Sequence, residues 1–71
     1  METYAQVLNI EGQLADVVRK LSNGASIPFA PDNTDYQNFK KQINADEAQL
    51  EDAEGTLMTA EQAKAYVATL P

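Results

Sequence analysis

The side chains best suited to holding an ion in this chain are Asp52, Glu54 and Glu61, grouped around Gly55 in "LEDAEGTLMTAE". With Gly55 at the sixth position of an EF-hand calcium loop, Asp52, Glu54, Leu57 and Glu61 take the third, fifth, eighth and twelfth. The first position then falls on Leu50, where the loop needs an oxygen ligand and an entering helix. The stretch therefore reads as a Gly-containing turn, and no metal is expected. Covalent and acid-base chemistry lack their usual groups. The chain has no His and no Cys, so the commonest metal ligand, the usual neutral-pH base and the thiolate nucleophile are all missing. Ser22, Ser26 and the threonines have no imidazole to activate them, and a lysine nucleophile needs a dry pocket that so short a chain can scarcely enclose. Carboxylates are plentiful, but without a cleft that desolvates one of a pair neither reaches a useful pKa. The three glycines stand apart at 12, 24 and 55, which excludes a glycine-rich phosphate loop. Neither enzymatic activity nor a cofactor is expected.

Tyr36 and Phe39 could stack on nucleobases, but they stand at helical spacing and read as core. Tyr4 fits either role. Met58 reads as a gap filler beneath the last helix.

The elements that must position these residues follow from periodicity and punctuation. In "TYAQVLNIEGQLADVVRKL", Tyr4, Val7, Leu8, Leu14, Val17, Val18 and Leu21 fit a helical stripe, interrupted by Gly12 at a cost of ~1 kcal/mol relative to Ala. The same residues also fit a hairpin, with Tyr4, Gln6, Leu8 and Ile10 alternating along one strand and "NIEGQ" as the turn. The pattern alone supports both. Asn23-Gly24 marks a turn, and Pro28 and Pro31 push Ile27 and Ala30 out of the α region. "ASIPFAP" is therefore an extended edge segment, with Ile27 and Phe29 facing inward on the same side. Thr34 followed by Gln37 makes a capping box for a helix over about 34–44, with Tyr36, Phe39 and Ile43 on its apolar face. Leu50 continues that stripe, so the helix extends past Asn44 unless a turn intervenes at Ala45-Asp46. A short hairpin is expected over about 49–58, turning at Asp52 to Gly55. Thr59 and Gln62 form a second capping box for a final helix over about 60–70, whose apolar face is Ala63, Tyr66, Val67 and Leu70.

Seventy-one residues make a single small domain, 1–71, of the α+β class. A chain of this length buries only about 60% of its unfolded surface, and small domains without disulfides or metals often lean on oligomerisation or on a larger partner. Eleven acidic against five basic residues give a formal charge of -6, which disfavours nucleic acid and anionic lipid as ligands. Asp46, Glu47, Glu51, Asp52 and Glu54 form a dense acidic segment, read first as a solvated face and second as an anionic surface for a basic partner. The chain opens Met-Glu and has no apolar run near the ~18 residues of a membrane span, so a cytoplasmic origin is expected.

One phrase carries a resemblance. In "SNGASIPFAPDNTDYQNFKKQI", Gly24, Ala25, Ile27, Pro28, Phe29, Pro31, Asn33, Asp35, Tyr36, Phe39 and Ile43 match the IPFxPxNxDYxxF module of small proteins of tailed bacteriophages. The tail "LEDAEGTLMTAEQAKAYVATLP" is similar to the ends of marine and cyanobacterial phage proteins. Two positions depart from the pattern: Ala30 stands where the family has Asp, and Ile43 where it has a later aromatic. The resemblance covers roughly two thirds of the chain, from Asn23 onward. It implies a β-hairpin before the IPF segment, which favours strands at the N-terminus. It also implies a tail- or virion-associated component or an assembly factor, located in the host cytoplasm during infection or in the virion, and it carries no catalytic residues.

The expected function is therefore non-enzymatic docking on a larger phage structural protein, as a virion subunit or as a chaperone of tail-fibre assembly, or self-assembly into an oligomer. A sheet edge completed by a partner strand would place Tyr4, Ile27 and Phe29 at the contact. The alternative is an acidic inhibitor of a host enzyme or nucleic-acid-binding complex, acting through Asp46, Glu47, Glu51, Asp52 and Glu54.

Overall fold

A computed structural model describes every residue from Met1 to Pro71. The elements are β1 (Glu2–Leu8), β2 (Leu14–Lys20), β3 (Ala25–Pro28), α1 (Thr34–Asn44), β4 (Ala48–Glu51) and α2 (Ala60–Ala68). The N-terminal segment is the hairpin. Gly12 adopts φ 80°, and Asn9 Oδ1 accepts from the backbone N–H groups of Glu11 and Gln13. A helix would forfeit both the left-handed glycine and this side-chain clasp.

Strand order is β3-β2-β1-β4, with β1/β2 and β2/β3 antiparallel and β1/β4 parallel. β3 and β4 consequently run in the same direction, and α1 carries the chain from one edge of the sheet to the other. Residues opposite one another in register share a face. Tyr4 lies opposite Leu50, Gln6 opposite Val18, and Val18 opposite Ile27, so these side chains line the face that both helices cover.

The core is one cluster of ten residues: Tyr4, Val18, Ile27, Ala48 and Leu50 from the sheet, Tyr36, Phe39 and Ile43 from α1, and Ala63 and Val67 from α2. Tyr4 meets Phe39 edge to face, with ring centroids 4.9 Å apart and planes at 67°. Its hydroxyl donates to Gln42 Oε1 at 2.6 Å, so the ring is buried without stranding its polar end. Each such apolar side chain contributes ~1.5–3 kcal/mol by leaving water.

α1 spans the expected residues but is capped one position earlier than the sequence suggests. Asn33 Oδ1, not Thr34, accepts from the Tyr36 N–H at 3.0 Å, and Gln37 Nε2 donates to the Pro31 carbonyl instead of closing a box. The helix ends at Asn44 because Asp46 takes φ 59°, and Leu50, which prolongs the helical stripe, enters the core from β4. The 49–58 hairpin is present in abbreviated form as a single bridge, Glu51 to Leu57. Thr59 and Gln62 make the capping box of α2 as expected, and the helix stops at Ala68, where Thr69 Oγ1 donates back to the Tyr66 carbonyl.

Candidate interaction surfaces

Two of the three residues expected at a partner contact are committed to the core. Tyr4 and Ile27 are each 2% exposed, and Tyr4 sits on the inner strand β1 instead of an edge. Phe29, just past β3, is half-buried, with its ring 5.3 Å from that of Tyr36. The edge strand β3 is also a poor template. Phe29 N–H donates to the Asp16 carbonyl, so by alternation it is Ser26 and Pro28 that turn their backbones outward. Proline has no N–H, which leaves Ser26 as the one outward donor of that strand. At the opposite edge, Met58 N–H donates to the Leu50 carbonyl and Asp52 N–H to the Thr56 carbonyl, so the chain covers half of β4 itself. The fold guards both edges, and Tyr4 and Ile27 lie in the core, out of reach of an added strand.

What remains bare is the second face of the sheet. Register places Thr3 and Ala5 of β1, Val17 and Arg19 of β2, Ser26 and Pro28 of β3, and Gln49 and Glu51 of β4 on the side away from the helices. Leu21 and Leu57 extend it outward, 42% and 50% exposed. Beyond the sheet, the β1–β2 hairpin ends in an apolar tip: Leu8 and Leu14 are paired opposite each other and half-exposed, and Ile10 is fully exposed. The helical reading of the N-terminal segment hides this tip, because it places Leu8 and Leu14 in a buried stripe. The legible signal was Ile10, an isoleucine placed in the glycine turn itself, and it is fully exposed.

The acidic segment does not form one surface. Asp46 pairs with Lys64 Nζ at 3.0 Å, tying the end of α1 to α2. Asp52 Oδ1 accepts from the N–H groups of Glu54 and Thr56 and so builds its own turn. Glu51 lies on the open sheet face, and Glu47 and Glu54 project freely into solvent. No group of three or more carboxylates converges on a common point, and Leu50, at the first position of the calcium-loop register, is wholly buried.

No protein-family model, curated protein or solved structure matches this chain.

The largest concavity, about 480 Å³, lies between β4 and α2 over Ile43, Leu50, Met58 and Ala63, with the Asp46–Lys64 pair at its rim. It holds no unpartnered buried polar atom. Burial pushes the phenols of Tyr4, Tyr36 and Tyr66 above their ordinary value. The Ser22 hydroxyl, with smaller help from the Thr3 N–H and Lys20, holds the Glu2 carboxyl below its own. These groups fasten the fold together: Glu2 joins the start of β1 to the turn after β2 at 2.9 Å. No helix is long and apolar enough to cross a membrane.

Proposed function

We propose that this chain is a non-enzymatic phage protein that docks on a larger structural protein of the particle, as a small virion or tail-associated subunit or as an assembly factor. The observation that carries the reading is the hairpin tip. Leu8, Ile10 and Leu14 expose apolar side chains on a projecting turn, where their solvation is unfavourable until a pocket receives them. The phage context rests on the IPFxPxNxDYxxF resemblance. The tip supplies what that resemblance leaves open, namely which part of the molecule meets the partner. Ile10 is the anchor, and Leu8 and Leu14 form the apolar collar around it.

The test is mass spectrometry of purified particles made with the natural chain and with Ile10→Asp/Leu14→Asp. Stoichiometric incorporation that the double variant loses, with its circular dichroism unchanged, supports the reading. Equal incorporation of both overturns it. So does a chain that is missing from particles and from assembly intermediates but holds a host enzyme in a complex that dissolves with rising salt, since that outcome belongs to the acidic-inhibitor alternative.

A further inference from the structure

The open sheet face carries a charge pattern that suits a second copy of itself. One row crosses the whole sheet: Ser26, Arg19, Ala5, Glu51 and Leu57, each opposite the next in register. Ala5 is at its centre, with a cation one strand away on one side and an anion one strand away on the other. Neither charge is used within the chain, whose two ion pairs are Glu2–Lys20 and Asp46–Lys64. The rest of the face is apolar or uncharged: Val17, Pro28 and Leu21 around Ala5, with Thr3 and Gln49 beside them.

We infer that two copies pack these faces together about a two-fold axis parallel to β1, passing between the sheets above Ala5. Such an axis exchanges the two sides of β1 while keeping position along the strand. It sets Arg19 of each copy over Glu51 of the other, giving two reciprocal ion pairs, and it sets Ala5 over Ala5. The small central residue allows the sheets to approach to the usual separation of ~10 Å, a gap that arginine and glutamate span together. The pairs lie one strand spacing from the axis, ~4.8 Å, so the natural twist between packed sheets displaces them little. An axis perpendicular to the strands through the same point instead stacks β2 on β2 and sets Arg19 near Arg19 and Glu51 near Glu51. The self-complementarity is specific to one orientation, as an isologous interface requires. The same axis leaves both hairpin tips at one end of the dimer. A partner surface is then engaged twice, and the second contact forms at high effective concentration. The dimer stands apart from the docking reading above, because it uses the face and leaves the tip free.

The experiment is analytical ultracentrifugation over roughly 10 µM to 1 mM, the range of a modest interface. The natural chain should shift from its 7.8 kDa monomer toward twice that mass. Arg19→Glu alone and Glu51→Arg alone should each weaken association by about tenfold or more, because each sets two like-charge contacts in the interface. Mixing the two single variants should restore it, since every pair is then opposite in sign, and the double variant Arg19→Glu/Glu51→Arg should dimerise as the natural chain does. The mixture also shows that each variant is folded. A natural chain that stays monomeric throughout overturns the inference, as do single variants that dimerise normally or a mixture that fails to associate. A monomer whose reversal variants lose particle incorporation also overturns it, by assigning the face to the larger protein. Ile10→Asp should leave the dimer intact.

Discussion

Tyr36 is where several parts of the molecule meet. Its ring is fully buried, Phe29 lies against it, and the Lys40 ammonium sits 4.6 Å from its centroid. Its hydroxyl donates to the Pro71 carbonyl at 2.5 Å, to which Lys40 Nζ also donates at 2.8 Å. One side chain thus joins the IPF segment, α1 and the end of α2. Tyr36→Phe keeps the ring and loses the hydroxyl bond, and should cost about 1 kcal/mol in urea denaturation. Tyr36→Ala should cost about 3–5 kcal/mol, enough to unfold a domain whose whole stability is of that order. The same phenols set the alkaline limit. Burial raises the folded-state pKa of Tyr4, Tyr36 and Tyr66 above 10.0, so their contribution is complete below that pH and is lost as pH climbs through the raised values. Thermal melts should hold level up to about pH 10 and fall steeply above it, and Tyr36→Phe should soften that fall.

At the scale of elements, the start of α1 is set by Asn33, one residue before the Thr34 that the sequence pattern suggests. Asn33→Ala should cost about 0.5–2 kcal/mol through the lost cap, whereas Thr34→Ala should stay within a few tenths, both read from the denaturation midpoint. Asp32, Asn33 and Thr34 are all competent caps. The choice among them is made by the turn after Pro31, in which Asn33 N–H donates to the Ala30 carbonyl. That turn belongs to the proline-fixed entry, which local capping patterns do not encode. The same distinction explains the rest of the comparison between sequence and fold. The capping box of α2, the extended IPF segment and the helical face of Tyr36, Phe39 and Ile43 are local, and were legible. By pattern alone the N-terminal strands were undecided, because their periodicity fits two elements, and it was the phage resemblance that favoured the hairpin the fold contains. The expected contact residues Tyr4 and Ile27 proved to be core for a related reason: extended apolar residues mark a strand, but only the position of the helices says which face is left open.

At the scale of the whole molecule, the surface proposed for docking is separate from the core that carries stability. Ile10→Asp should shift the unfolding free energy by less than about 0.5 kcal/mol, because a fully exposed side chain gives up no packing, although the same change should abolish docking. The parallel seam between β1 and β4 has a kinetic meaning. Gln6 and Val18 are 12 residues apart in the chain, but Tyr4 and Leu50 are 46 apart. Closing the longer loop costs about 1 kcal/mol more by chain entropy, so the meander of β1, β2 and β3 is expected to form before β4 joins it. In native-state hydrogen exchange the β1 amides facing β4 should open before those facing β2, under conditions in which the hairpin persists. A ribosome making this protein must therefore release about fifty residues before the first strand acquires its second neighbour, and until then the unpaired N–H and C=O groups along that edge are open to any other strand nearby.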